Sequence, residues 1–467
     1  VSVRDDLARE RAILFTVGFG GMLVPLNSTM IAVAIPNIGS QLGASVTQTG
    51  WLVTAYLITM AALPPITGKL GDRYGRRPFL LGGYAMFAVA SLGAALASSI
   101  WTLIIFRGGQ ALAGAVIFPN GTALLREIVP EERRGARFGL LGSSIAFGAA
   151  VGPPLGGLLV ELGDWPAIFW ANLPIVAAVL IVAWRTIPRT QPVRTSQRFD
   201  VPGAGLLALV LASGAWLLTR MRDVTPGTMV VTLAIVAAGS VLFLWRELTY
   251  ADPVVQPRFF RRRGFVAATG GIALSNLAMY ALLLAVPLLL DRRGGWSEAR
   301  IGFVLTSMSA GMVLLAPIGG RLSDRLGRRT PAVAGMCLLS AGVTALAVLG
   351  PDIATPRLVV ALVVSGIGLG LGSGSLQTAA VETIEVEHAG MAAAASSTAR
   401  YAGSIVGTAV LAGLATSVGG FQTVFTMMAV AALAAIVLAL GLPTRARPHE
   451  VGREPATVPP DIAVEPG

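Results

Sequence analysis

Charge is scarce in this chain. Asp, Glu, Lys and Arg make up 13% of its 467 residues, against 54% apolar residues, and the mean hydropathy is +0.73. Soluble domains carry about 25% charged residues, so the scarcity excludes an ordinary globular fold and points to the membrane class. Cysteine is scarcer still: Cys337 stands alone inside an apolar run, so no disulfide framework exists. The two histidines, His388 and His449, fall in expected cytoplasmic segments, and this inventory supports no Cys/His metal site. The single lysine, Lys69, lies in Gly68-Lys69-Leu70. A phosphate-binding loop needs Gly-Lys-Ser/Thr, so an ATP-driven pump is excluded. No expected span holds an Asp, a Glu or a histidine, which leaves an intramembrane enzyme without a catalytic constellation. No metal and no cofactor is called for.

What is present is a succession of apolar runs, each of the ~20 residues needed to cross a bilayer as helix. They are continuous, not alternating, which excludes a β-barrel. Spans are expected near 12–35, 49–70, 79–98, 100–123, 137–160 and 166–185. A pair follows near 202–219 and 227–245. A second set lies near 265–289, 301–320, 331–350, 356–379, 392–416 and 421–442, about fourteen in all. The first run has no small-residue cleavage site and reads as a retained span.

The net charge of +11 would suit nucleic acid, but the arginines sit in the short connections, as the positive-inside rule requires. Alternate connections carry Arg73, Arg76 and Arg77; Arg133, Arg134 and Arg137; Arg189, Arg194 and Arg198; Arg258 and Arg261 to Arg263; and Arg325, Arg328 and Arg329. The others are poor, apart from Arg220 with Arg222, and Arg292, Arg293 and Arg300. Both termini are therefore expected in the cytoplasm. Phe259 and Phe260 beside Arg261 to Arg263 suit an interfacial helix on the inner leaflet. The tail after Pro443 is rich in proline and charge and reads as disordered.

A ten-residue polar island occurs twice. Gly68-Lys-Leu-Gly-Asp72-Arg73-Tyr-Gly75-Arg76-Arg77 aligns with Gly320-Arg-Leu-Ser-Asp324-Arg-Leu-Gly327-Arg328-Arg329. Each copy joins the second and third spans of a set of six. The chain therefore divides into a six-helix bundle, 1–185; a linker with two extra spans, 186–263; a second six-helix bundle, 264–442; and the tail, 443–467. Repeated halves about a midplane site are how alternating-access carriers are built.

Four motifs, together and in the right spans, resemble the major facilitator superfamily, and within it the fourteen-helix drug:proton antiporter branch. The repeated hairpin resembles motif A. Phe106-Arg107-Gly-Gly-Gln110 resembles motif B, whose arginine is Arg107. Gly148-Ala-Ala-Val-Gly152-Pro153-Pro154-Leu-Gly156-Gly157 resembles motif C, the antiporter motif. Pro25-Leu-Asn27-Ser-Thr29 resembles the branch's own signature in the first span, which normally reads Leu-Asp-x-Thr. The resemblance implies an all-α integral membrane protein with the major facilitator fold: two six-helix bundles and two extra helices between them. It implies a monomeric, multi-pass transporter of a bacterial cell membrane that exports small hydrophobic or amphiphilic compounds, with protons as coupling ion. The partners are then substrate, protons and lipid, and no nucleic acid.

The residues support parts of that picture on their own. Gly68 and Gly75 permit a tight turn and close approach. The resemblance implies that Asp72 latches onto a helix start near 390–392, where an anion is favourable, and Arg76 is in place to pair with Glu127. Asp324 and Arg328 are the second copy. Gly148, Gly152, Gly156 and Gly157 give helical small-xxx-small spacing for close packing, and Pro153-Pro154 breaks the hydrogen-bond ladder. Arg107 lies about 10 Å into its span at 1.5 Å per residue, where a charge faces a cavity or a partner unless it snorkels to the surface. Arg400 is a second such charge. Asn27, Tyr56, Asn120, Asn276 and Tyr280 are candidate cavity residues, though packing explains each equally well.

One departure matters. The family's first-span aspartate, its usual proton carrier, is Asn27 here. An amide hydrogen-bonds a substrate or Arg107 but carries no proton. Coupling then moves to an edge carboxylate such as Glu127, Glu161 or Asp291, or the protein is an uncoupled facilitator or an exporter of anionic or lipid-like solutes. A non-transporting sensor on the same scaffold is the remaining reading.

Overall fold

The computed structural model describes residues 3–129, 131–188, 200–221, 224–250, 253–385, 388–415 and 419–444. Among these residues there are fifteen α-helices, one short 3-10 turn and no strand. The first bundle holds α1 (Val3–Leu42), α2 (Val46–Ala62), α3 (Pro64–Tyr74), α4 (Arg76–Ala95), α5 (Ile100–Ile128), α6 (Glu131–Gly163) and α7 (Pro166–Thr186). The extra pair is α8 (Val201–Arg220) and α9 (Pro226–Thr249), followed by the 3-10 turn Pro257–Arg261. The second bundle holds α10 (Arg263–Arg293), α11 (Glu298–Leu326), α12 (Arg329–Leu349), α13 (Thr355–Glu382), α14 (Ala389–Leu414) and α15 (Gly420–Leu440).

Twelve of these helices are long and apolar enough to cross a membrane, and α2 with α3 makes a thirteenth span. The span expected over 49–70 is present but not straight: the chain breaks at Leu63 and bends by 50°. The cause is Pro64-Pro65. Proline has no N–H to give the preceding turn, and its ring clashes with the carbonyl four residues back. The second copy has Ala316-Pro317 at the aligned place, and α11 runs through it unbroken. α14 is not among the helices apolar enough to span alone. Ser396, Ser397, Thr398, Arg400, Ser404 and Thr408 lower its hydropathy, and it packs on α10, α2 and α8.

Both hairpins turn on a left-handed glycine, Gly75 at φ 95° and Gly327 at φ 82°, a conformation side chains resist. They lie on one face of the molecule. On that face Arg76 reaches Glu127 and Arg328 reaches Glu382. On the opposite face Asn37 donates to Glu298 at 3.4 Å, and Arg292 donates to the carbonyl of Ala415 at 2.6 Å.

The bundles meet along α6–α11, α2–α14 and α1–α10. Bonds across the seam run from Asn37–Glu298 inward through Thr54–Thr408 (3.2 Å) and Ser28–Tyr280 (3.4 Å) to Thr398 and the carbonyl of Ala61 (3.4 Å). Past Ala61 the chain bends away into α3, whose main neighbours are α5 and α4 of its own bundle.

The extra pair docks beside the seam. α8 packs on both α14 and α2, with the carbonyl of Leu218 filling the space a Cβ on Gly413 would need. Asp200 caps α8 through the amide of Gly203 (2.9 Å) and pairs with Arg246 of α9 (2.5 Å). α9 has little of its apolar span buried, as suits a lipid-facing helix. The expected interfacial segment needs correction: Phe259 is buried against Phe265 and His388, and only Phe260 points outward. The linker stretch 189–199 and the tail from 445 lie outside the described residues, as do the side chains of Arg133 and Arg134.

Candidate functional site

Ser99 caps α5 with Thr102 in a reciprocal box, and Arg107 follows two turns later. Its side chain is 0% exposed, so it does not snorkel. Nη1 donates to Asn27 Oδ1 at 2.6 Å and to Gln110 Oε1 at 3.0 Å. Gln110 in turn donates to Ser91 at 2.8 Å, which fixes the orientation of its oxygen. The guanidinium carbon sits 4.6 Å from the centre of the Tyr56 ring, and Tyr56 is held by its hydroxyl bond to the Val24 carbonyl. Four helices, α1, α2, α4 and α5, thus converge on one cation.

The arrangement is incomplete. Arg107 Nε and Nη2 and Asn27 Nδ2 are buried without a partner, and among the described residues no carboxylate pairs with Arg107. An isolated buried ion costs several kcal/mol even after relaxation. Two charge-assisted hydrogen bonds and a desolvated cation–π contact each return ~2 kcal/mol. They soften the cost without supplying a counter-charge.

Tyr280 of α10 approaches from the other bundle and bonds to Ser28, the neighbour of Asn27. Arg400 and Tyr401 of α14 are half-buried beside it. The structure therefore brings Asn27, Tyr56, Arg107, Tyr280 and Arg400 together at the seam. It also adds Gln110 and Ser91. Gln110 stood in the motif, three residues from Arg107 and so on the same helix face; Ser91 gave no signal.

Asn120 is corrected. It donates to the carbonyls of Thr67 (3.1 Å) and Val116 (2.8 Å) and fills the space against Gly71, so it holds α3 to α5 and does not line the seam. Asn276 bonds one turn back to Ile272 on its own helix.

The hairpins form equivalent ionic clusters. Arg76 pairs with Asp72 and with Glu127, both at 2.8 Å, beside a cleft of about 470 Å³ that Gly68 also lines. Arg328 binds Asp324 at 2.7 Å and grips Glu382 with two nitrogens, at 2.7 and 2.9 Å. Hydrogen bonding to Glu382 holds the Arg328 guanidinium above its ordinary range. Asp324 is corrected as a latch: its side chain is 74% exposed against 32% for Glu382, so Glu382 carries that cluster. Arg77 donates to the Trp184 carbonyl on α7, and Arg73 lies over the Tyr74 ring. The described partner of Asp72 is Arg76; of its expected contact near 390–392, the side chain at 390 lies outside the described residues.

The glycine stripe of α6 faces α1. A Cβ on Gly148 would meet Met22, one on Gly152 would meet Thr29 and Leu26, and one on Gly156 would meet Met30. Gly157 looks the other way, at the backbone of Glu298 and Ala299 on α11, while Gly302 of α11 faces the Pro153 carbonyl. Pro153 and Pro154 lie inside α6, whose helix runs on to Gly163.

A cation buried where two helical bundles meet, with repeated ionic hairpins on one face, suits a multi-pass membrane transporter, and the family match bears that class out. The model of the Major Facilitator Superfamily matches residues 17–294 and again 268–463, and the chain belongs to that family. It is 32% identical over 93% of its length to an uncharacterised MFS-type transporter, YvkA, of Bacillus subtilis (strain 168), covering 96% of that protein. It is 31% identical over 85% of its length to the multidrug resistance protein Stp of Mycobacterium tuberculosis (strain CDC 1551 / Oshkosh), covering 74% of it. A crystal structure of a peptide transporter, POT, in complex with sulfate superimposes with a TM-score of 0.69 at 17% identity, over 92% of this chain and 93% of that one, which supports the fold.

Proposed function

We propose that this transporter exports small hydrophobic or amphiphilic compounds, in the manner of multidrug efflux, by rocking 1–185 against 264–442 about the Arg107 centre. In this reading 186–263 links the halves, both termini are cytoplasmic, and the protein works as a monomer in a bacterial cell membrane. The hairpin face is then the inner face. The seam bonds that continue from Asn37 to Thr398 close the outer side, and the bend at Leu63 opens the inner one.

The observation that carries the reading is the buried Arg107, tied to Asn27 and set beside the Ser28–Tyr280 bond that crosses the seam. A buried charge at the junction of two moving bodies gains or loses partners as they move, which is what couples a site to its access. The name of the Mycobacterium tuberculosis relative supports export of drug-like compounds. Asn27 argues against a proton carrier in the first span, since the usual acid is an amide held as an acceptor by Arg107.

The test is accumulation of ethidium, a neutral steroid and an anionic dye in everted membrane vesicles with and without the protein, each with and without a pH gradient. Protein-dependent accumulation of at least one compound supports export. Identical accumulation of all of them in both vesicle types refutes it.

A further inference from the structure

We infer that the Arg107 centre takes the anionic group of an amphiphilic substrate, and that the substrate's own charge supplies both the missing counter-ion and the driving force. This rests on the export reading above. Arg107 has two buried nitrogens with no partner and Asn27 Nδ2 is a third orphan donor beside them, so the unsatisfied groups of the site are all N–H donors. Its two amide oxygens, Asn27 Oδ1 and Gln110 Oε1, are both engaged by Arg107. A carboxylate, sulfonate or phosphate monoester accepts from a guanidinium in parallel and relieves the uncompensated charge. A cationic drug meets the opposite: a buried positive charge, Arg400 nearby, and helices whose acids, such as Glu127 of α5 and Asp291 of α10, stand only at their ends.

The route in follows from burial. Asn27, Tyr56 and Arg107 are closed off, whereas Tyr280, Arg400 and Tyr401 are half-buried. An anion reaches Arg400 and the Tyr280 hydroxyl first, and passes to Arg107 as the Tyr56 ring moves off the guanidinium face. Its apolar body lies against Met60, Ala111 and Ala115, which pack with Tyr56 and Tyr401.

The driving force follows from the charge. A bacterial cell is negative inside, and the field acts on every charge that crosses. For a monovalent anion, 100 mV sustains an outward gradient of about 50-fold with no proton moved. The absence of a first-span acid then ceases to be a defect.

The test uses the full chain in liposomes loaded with taurocholate, an impermeant anionic amphiphile, or with ethidium. A potassium gradient with valinomycin makes the lumen negative, or a pH gradient is imposed alone. Taurocholate efflux is expected to rise with the potential and not with the pH gradient. Arg107→Gln and Asn27→Asp are each expected to cut it at least tenfold, the second because the new carboxylate occupies the guanidinium. Arg107→Lys keeps the charge and is expected to retain part of the flux, and Asn27→Asp is expected to admit ethidium. A native melting profile for each variant separates loss of site from loss of fold. The inference is overturned if ethidium leaves as fast as taurocholate in the unmodified protein. It is also overturned if a pH gradient alone drives taurocholate, or if well-folded Arg107→Gln and Asn27→Asp keep full flux. Absence of protein-dependent flux for every probe overturns the export reading as well, and so is distinct from transport of neutral or cationic probes only.

Discussion

Gly157→Ala is expected to unlock the seam at the α6–α11 contact, the end read above as the outer side. A Cβ at Gly157 would lie 2.4 Å from the Glu298 carbonyl oxygen and 2.9 Å from Ala299 Cα. Ordinary contact begins near 3.4 Å, so α6 and α11 must separate by about 1 Å. Every one of these neighbours is backbone, so no side chain can swing aside. Overpacking of this kind costs ~1–3 kcal/mol. In the alternating-access cycle proposed above, the clash exists only while this side of the seam is closed, so the cost falls on one state of the carrier and shifts its population by about 5- to 150-fold. The assay is labelling of Ser28→Cys, in a Cys337→Ser background, by an impermeant maleimide applied outside intact cells. Ser28 is buried, about four turns from the Leu42 end of α1, so in the proposed orientation labelling reports opening of that side. Gly157→Ala is expected to speed labelling several-fold or more. Gly82→Ala, where a Cβ meets nothing within 4 Å, is the silent control. Unchanged labelling in a well-folded Gly157→Ala protein would refute the clash argument, and equal acceleration by Gly82→Ala would show that the effect is not steric.

The second hairpin should distinguish its two acids. Glu382→Gln removes a paired grip on Arg328 and is expected to cost about 1 kcal/mol, while Asp324→Asn, at an exposed carboxylate, costs under about 0.5 kcal/mol; a melting series in detergent that reverses this order refutes the assignment. Asp200→Ala uncaps α8 and strands Arg246, at a cost of ~0.5–2 kcal/mol from the cap alone. Faster amide exchange at the start of α8 is expected, and unchanged protection at Gly203 would show that the cap does not hold the helix.

The fold was largely legible in the sequence because two of its signals are redundant. Apolar runs of membrane length recur, and the hairpin appears twice with its glycines and charges in register, Gly75 over Gly327 and Arg76 over Arg328. The bend at Leu63 was not read, although Pro64-Pro65 announces it, because an apolar run continues past the prolines and length alone favours one span. The site was legible where a charge had to be explained. Arg107 cannot sit in a span without partners, and Asn27 stood where an acid was expected. Polar residues without charge were harder. Asn120 and Asn27 look alike in sequence, since hydropathy does not say whether an amide in a span faces a neighbouring helix or the seam. The pairing of Glu382 with Arg328 joins residues 54 apart and depends on how α11 to α13 pack, so the sequence did not single it out.

The modest hydropathy of α14 bears on how the chain is made. A segment that partition into lipid would hold only weakly has to be retained by partners, and its main ones, α10, α2 and α8, precede it in the chain. Integration of α14 is therefore expected to depend on earlier assembly of α2, α8 and α10. Mutations that loosen α2 or α8 should appear first as failed membrane integration of the C-terminal third, and only afterwards as lost transport.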